Sequence, residues 1–222
     1  MVWAVVPAKL GADAKRRLAP ALAPEQRARL AQAMLRDVLT ALLGARSLTG
    51  VALIGRGRAV ADLADELGVL FVAERDARNL NEAVVEGTAA CCARGASAIV
   101  VAMGDLPLVR SEDVDQLVAL LPERGVVVAP SLDGTGTNLL AARPPSSIAP
   151  AFGRASLAAH RALARRAGVS LAAHDLPGAA LDVDTPADLA RLLASESARD
   201  ATRAFLRSLE PTSSAPSASH ST

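Results

Sequence analysis

Several short stretches of this chain hold side chains suited to handling phosphates. The first is VVPAKLGADAKRRLAP, residues 5–20, which carries Lys9, Lys15, Arg16 and Arg17. Of the 24 basic residues all but Lys9 and Lys15 are arginine, so both lysines of the chain fall in this one stretch. Lysine is a compact point charge that can follow phosphate oxygens, whereas arginine is a planar fork. Four cations after a first strand make a plausible triphosphate cradle. The stretch has neither GxxxxGK[ST] nor GxGxxG, so it is not a P-loop or a dinucleotide fingerprint. The competing reading is a solvated basic loop before a helix. Charge alone favours that loop, and the placement of the lysines tips the balance toward phosphate handling.

Carboxylates form the second group. MGDLPL, residues 103–108, puts Asp105 directly after an apolar run and before a proline. It is either a metal-ligating carboxylate or the cap of a turn. In LDVDTPADL, residues 181–189, Asp182 and Asp184 are two apart and share one face of an extended segment. Thr185 then reads as a helix N-cap, Pro186 as the first helical residue and Asp188 as the third, a variant of the capping box. The cap does not need Asp182 and Asp184, so with Asp105 they could make a three-carboxylate Mg²⁺ site, hard divalent cations being held by carboxylates plus substrate phosphates. A DxDxT string also opens the haloacid-dehalogenase phosphatases, but near the chain start and with a lysine downstream. Here it stands near the end and no lysine follows Lys15.

Three further stretches are candidates for binding. DGTGTNLL (133–140) is a Gly/Thr turn entering a strand, and FGRAS (152–156) leads to a helix whose free N–H groups and Ser156 suit a phosphate or carboxylate. An ordinary loop and an ordinary N-cap explain them equally well. In RNLNEAV (78–84) either Asn79 or Asn81 could cap a helix, and one could face a ligand. His160 and His174 read as structural or surface residues and His220 falls in the tail. No Ser/His/Asp or Cys/His arrangement is convincing.

These residues need a frame, and the composition bounds it. With 222 residues, 51% of them hydrophobic, the chain can bury one sizeable core. A net charge of +1 with one Trp, three Phe and no Tyr argues against a polynucleotide partner. Cys91 and Cys92 are adjacent and suggest no disulfide framework, which fits a reducing cytoplasm. The start lacks a signal-peptide pattern, and no apolar run is long enough for a membrane span.

Short β-rich runs alternate with helical patterns. Strands are expected at 2–7, 51–54, 69–73, 97–103, 126–130 and 137–142, with an outer one at 169–176. Helices are expected at 25–43, 58–67, 80–93, 112–121, 154–168 and 185–196, with another at 198–209. In 25–43, Leu30, Met34, Val38 and Leu42 recur every four residues behind Pro24. Such alternation predicts an α/β fold with a mainly parallel sheet between two layers of helices, and ligands beyond the carboxyl ends of the strands. The low-complexity tail 211–222 is expected to be disordered.

Taken in order, VPAK, AKRRLAP, the RARLAQAMLRDVLTAL helix, NLNEAV, MGDLPL, DGTGTN, FGRASLAAH and LDVDTPADL resemble a known family. It is the family of 2-phospho-L-lactate, phosphoenolpyruvate or 3-phosphoglycerate guanylyltransferases of coenzyme F-420 biosynthesis. The likeness runs from about Val2 to Leu193, and the segment after about Ser195 lies outside it. One departure is Asn79, where the family often has glycine.

The resemblance implies a Rossmann-like nucleotidyltransferase fold of the nucleotide-diphospho-sugar transferase type, a three-layer sandwich in residues 1–195. It implies GTP as co-substrate, Mg²⁺ as cofactor and a phosphorylated three-carbon carboxylic acid as acceptor. By position the metal-binding aspartates fall on Asp105, Asp182 and Asp184. Contacts to the acid fall on Thr137, Gly153 and Ser156. Pro7, Lys9, Lys15 and Arg17 fall on the GTP phosphates, and Asn81 near the nucleoside. Lys9, Lys15, Arg17 and Asp105 would serve catalysis. Neither nucleic acid nor membrane is an expected partner, and a homodimer is compatible with this reading. The alternatives are a molybdopterin-guanylyltransferase-like enzyme, which usually has a GxG loop after its first strand, and a non-catalytic nucleotide-binding regulator.

Overall fold

The computed structural model describes residues 1–209 apart from Ala12 and Glu196. The tail expected at 211–222 lies outside the described residues.

Seven strands form one sheet: β1 (Val2–Ala8), β2 (Gly50–Gly55), β3 (Leu70–Ala73), β4 (Ala98–Ala102), β5 (Gly125–Pro130), β6 (Thr137–Arg143) and β7 (Leu171–Ala173). Their order is β3-β2-β1-β4-β6-β5-β7. The pairings β3/β2, β2/β1, β1/β4 and β5/β7 are parallel; β6 runs antiparallel to both β4 and β5. The helices are α1 (Pro24–Gly44), α2 (Arg58–Leu67), α3 (Leu80–Cys92), α4 (Ser111–Ala119), α5 (Ser156–Ala167), α6 (Pro177–Ala180), α7 (Pro186–Leu193) and α8 (Asp200–Arg207). No described helix is long and apolar enough to cross a membrane.

The core explains the layers. β4 is buried along its whole length, as an apolar run covered on both faces must be. One face packs α1, α2 and α4 through Leu35, Leu39, Leu63 and Leu117. The other face packs α3 and α5 through Val84, Ile99, Phe152 and Leu157, with Val5, Ile54 and Ala83 beside them. Gly87 lets α3 approach closely: a Cβ there would stand 2.7 Å from Val5 Cγ1.

A separate cluster sits beyond one end of the sheet. There Leu18, Met34, Val183, Leu192 and Phe205 pack together. It joins the Lys15 loop, α1, α7, α8 and the segment carrying Asp182 and Asp184. Asp37 of α1 fixes α8 by accepting from the Ala201 and Thr202 amides at 3.0 and 2.8 Å.

Element bounds differ from the expected ones where local chemistry intervenes. β7 is three residues long because Val169 closes α5 instead, its amide donating to Ala164 O at 3.0 Å. α5 begins at Ser156, not Arg154, because Ala155 takes the left-handed conformation at φ 54°. The 3₁₀ turn Arg16–Leu18 and the short α6 have no periodic signal in so few residues.

Candidate functional site

The chain leaves β1 toward β2 and β3 on one side, while β4 lies on the other. The space past the carboxyl ends of β1 and β4 is thus the switch point where such sheets hold ligands. β1 delivers Pro7 and Lys9 there, and β4 delivers Asp105. The reversed direction of β6 brings Thr137 and Asn138 to the same edge, with Ala102 paired to Leu139 and Met103 N donating to Asn138 O at 3.1 Å.

The LDVD segment reaches this edge by alternation. Leu181 and Val183 are buried in the end cluster, so Asp182 and Asp184 turn the other way, into a cleft of about 930 Å³. Val183 N bonds Asp105 O at 3.2 Å, tying the two acidic segments together. The expected helix cap is present: Thr185 Oγ1 accepts from Asp188 N at 3.3 Å, and Thr185 N donates to Asp188 Oδ2 at 2.9 Å.

Lys15 crosses to the carboxylates. Its backbone is left-handed (φ 51°, ψ 44°) just before the 3₁₀ turn, and Leu18 pins that turn in the core. Its ammonium stands 2.5 Å from Asp105 Oδ2 and 2.7 Å from Asp184 Oδ1. Burial pulls the Lys15 pKa down, and the two carboxylates overcome it, so the net shift is upward. Arg17 Nη1 lies 3.7 Å from Asp184 Oδ2 on a mostly exposed side chain. Among the described residues Asp182 has no cation of its own; Asn138 Nδ2 donates to it at 3.4 Å. Burial first, then the Asp105 charge, push the Asp182 carboxyl above its ordinary range. Among the described residues no three His, Cys, Asp or Glu side chains gather as a ready metal-ligand group; the three aspartates instead share their cleft with a lysine.

Thr137, Gly153 and Ser156 line the same cleft. Gly153 has φ 120°, a backbone that favours glycine. Asp133 organises the preceding turn by accepting from Ser131 Oγ (2.6 Å) and Thr135 N (2.9 Å), bonds that lower its pKa to about 2. Leu157 N donates to Thr135 O at 3.1 Å and joins that turn to the start of α5.

Lys9 is exposed and lines a second cleft, of about 740 Å³, with Pro7, Arg56 and Glu74. Arg56 Nε lies 3.1 Å from Glu74 Oε1, and Arg56 Nη2 donates to Ala77 O at 2.8 Å. A smaller recess between the clefts is lined by Pro7, Lys9, Lys15 and Asp105. Leu80 lines both clefts.

Asn81, expected beside the nucleoside, does not line either cleft. One residue past Leu80 on the helix, it points elsewhere, and its amide is spent on Phe152: Oδ1 accepts from Phe152 N at 2.7 Å and Nδ2 donates to Phe152 O at 3.1 Å. Asn79 is the residue that caps α3, accepting from Glu82 N at 3.1 Å. The sequence reading missed Asn138, Arg56 and Glu74. The last two follow the ends of β2 and β3, and the rule that ligands sit beyond strand ends would have pointed to them.

Residues 2–221 match the model of a family described as guanylyl transferase CofC like. The chain belongs to this family. The match runs past Ser195, beyond the stretch that the sequence motifs cover, and so takes in α8. A phosphoenolpyruvate guanylyltransferase from Sphaerobacter thermophilus is 41% identical over 189 residues, 85% of this chain and 91% of that protein. A 2-phospho-L-lactate guanylyltransferase from Methanothermobacter thermautotrophicus is 35% identical, over 86% and 83%. A 3-phospho-D-glycerate guanylyltransferase from Phenylobacterium zucineum is 37% identical, over 85% and 88%. A solved nucleotidyl transferase from Methanothermobacter shares the fold at a TM-score of 0.67 and 21% identity, covering 94% of this chain and 99% of its own. The CofC-like frame is therefore that of nucleotidyl and nucleotide-diphospho-sugar transferases, as the strand–helix alternation and the motif order implied.

Proposed function

We propose that this CofC-like protein transfers GMP from GTP to the phosphate of a phosphorylated three-carbon acid, releasing pyrophosphate, in coenzyme F-420 biosynthesis. Phosphoenolpyruvate is the first acceptor to test, since the relative at 41% identity carries that name. One observation carries the proposal: Lys15, Asp105 and Asp184 meet at the sheet's switch point, between a wall suited to an anionic acceptor and a cleft suited to a nucleoside.

An acceptor phosphate oxygen attacks the α-phosphorus of GTP, a new P–O bond forms, and the bond to the β-phosphate oxygen breaks. A phosphate is already ionised near neutral pH, so the nucleophile needs no general base. The protein must instead hold two anions in line and offset their charge. Lys9, Lys15 and Arg17 line the path of the triphosphate, with Pro7 at its start. Thr137, Gly153 and Ser156 face the acceptor, with the N-terminus of α5 behind them.

Asp105, Asp182 and Asp184 line one cleft with hard carboxylate oxygens, and a cation, the Lys15 ammonium, already sits on two of them, so the residues fit a divalent metal. Asp105, Asp182 and Asp184 would hold Mg²⁺, which supplies charge neutralisation at the transferring phosphoryl group. Lys15 already bonds two of them and is placed to pass between carboxylate and phosphate.

In the second cleft, Glu74 is placed to accept from the N1–H and 2-amino group of guanine, and Arg56 orients that carboxylate. The deciding experiment offers each of the three acids with GTP and Mg²⁺ and identifies the product by mass. Absence of guanylylated product from every acid, with no pyrophosphate released, would leave only a nucleotide-binding role.

A further inference from the structure

His160 is a buried titratable side chain that the proposed reaction leaves idle. It lies on α5, one turn beyond Ser156, and is 0% exposed. Both of its ring nitrogens are engaged. The Ala151 backbone N–H donates to Nε2 at 3.0 Å, so Nε2 carries no hydrogen. A neutral imidazole with a bare Nε2 has its hydrogen on Nδ1. That Nδ1 is 3.1 Å from Thr137 Oγ1, so the ring donates and the hydroxyl accepts.

The consequence falls on Thr137. A hydroxyl that accepts from the ring keeps its own hydrogen to donate, and among the described residues Thr137 Oγ1 makes no second hydrogen bond. Thr137 lines the cleft. We infer that His160 is a positioning residue for the acceptor: it fixes the Thr137 hydroxyl as a donor into the cleft and holds the backbone that leads into Gly153. The opposite tautomer would draw the hydroxyl hydrogen inward and turn only lone pairs toward an anion. It would also set Nε2–H against the Ala151 N–H. Burial, which pushes the ring's pKa down to about 4, keeps it neutral across the working range. The loop is held from the other side by Asn81 on Phe152, and Phe152 meets the His160 ring edge-on at 4.9 Å. This inference rests on the acceptor wall assigned under the proposed function.

The test has two arms. On the unaltered protein, a long-range ¹H–¹⁵N spectrum of the ring should show a neutral, Nδ1-protonated His160; an Nε2-protonated ring would overturn the inference without touching the functional reading. In kinetics, His160→Gln keeps an acceptor near Nε2 and loses the Thr137 contact, while His160→Asn keeps a donor near Nδ1. The Gln variant should raise KM for the acid about tenfold or more and leave KM for GTP within about twofold. The Asn variant should recover part of the loss. Thr137→Val added to His160→Gln should then cost little more, because both act through one hydroxyl. Equal rises in both KM values, or fully multiplicative losses, would mean that His160 is only a packing residue. If the unaltered protein guanylylates none of the acids, the functional reading fails and the inference goes with it.

Discussion

Lys15 and Asp105 stand 2.5 Å apart although 90 residues separate them in sequence. The same ammonium reaches Asp184 at 2.7 Å. The lysine side chain is 11% exposed, against 24% for Asp105 and 39% for Asp184. Removing the ammonium would therefore leave two carboxylates facing one another with partial screening. Lys15→Met should cost about 1–3 kcal/mol of stability, discounted for the exposure of Asp184. It should also cut GTP use at least about a hundredfold, whereas Arg36→Ala, which breaks only an exposed pair with Glu66, should stay near wild type. Mg²⁺ alone should raise the Tm of Lys15→Met more than that of the wild type, since the cation supplies the missing charge. Equal shifts in a thermal melt would count against a shared site.

Asp105→Asn and Asp184→Asn keep shape and remove charge. Each is expected to lower turnover by about a hundredfold or more while the chain stays folded, because Val183 N still finds the Asp105 backbone carbonyl and the Thr185 cap is untouched. Circular dichroism checks the fold, and turnover is measured across Mg²⁺ concentrations. Wild-type-like turnover at limiting Mg²⁺ would remove these residues from the metal role.

The fold was legible in the sequence because its signals are periodic. The every-fourth-residue row from Leu30 to Leu42 is the buried face of α1, and the unbroken apolar run at Ala98–Ala102 is the doubly covered strand β4. The carboxylates were legible because alternation around Leu181 and Val183 dictates which way Asp182 and Asp184 turn. Partners in space were not. No spacing shows that Lys15 closes on Asp105, that Asn81 is spent on Phe152, or that His160 bonds Thr137. Those contacts depend on how loops from distant elements meet, and a rotation of one residue on α3 decides whether Leu80 or Asn81 faces the clefts. Arg56 and Glu74 carry no motif and were visible only from their place beyond β2 and β3.

The second cleft gives a prediction about base choice. A carboxylate is an acceptor only and suits the two donors on the guanine edge, while adenine presents a bare N1 to it. Glu74→Gln replaces one oxygen by an NH₂ group and disturbs the pair with Arg56. The preference for GTP over ATP, measured as a ratio of kcat/KM values, should fall by about tenfold or more. KM for the acid should be unchanged, because Glu74 lies in the other cleft from Thr137 and Ser156. An unchanged GTP/ATP ratio would place the guanine elsewhere.

The buried imidazole also predicts how stability depends on pH. Burial holds His160 at about 4, below its ordinary 6.5. As pH falls, the unfolded chain takes up this proton first, so acid favours unfolding. The stabilisation is complete above about pH 6.5 and is lost as pH falls toward 4; at the extreme it is worth about 3 kcal/mol. His160→Gln removes the titrating group and with it this slope. The variant should melt well below wild type at pH 7.5, and the gap should narrow by several degrees at pH 5, before most carboxylates titrate. A gap that stays constant between those two pH values would mean that the ring takes up its proton alike in the folded and unfolded chain, against a pKa lowered by burial.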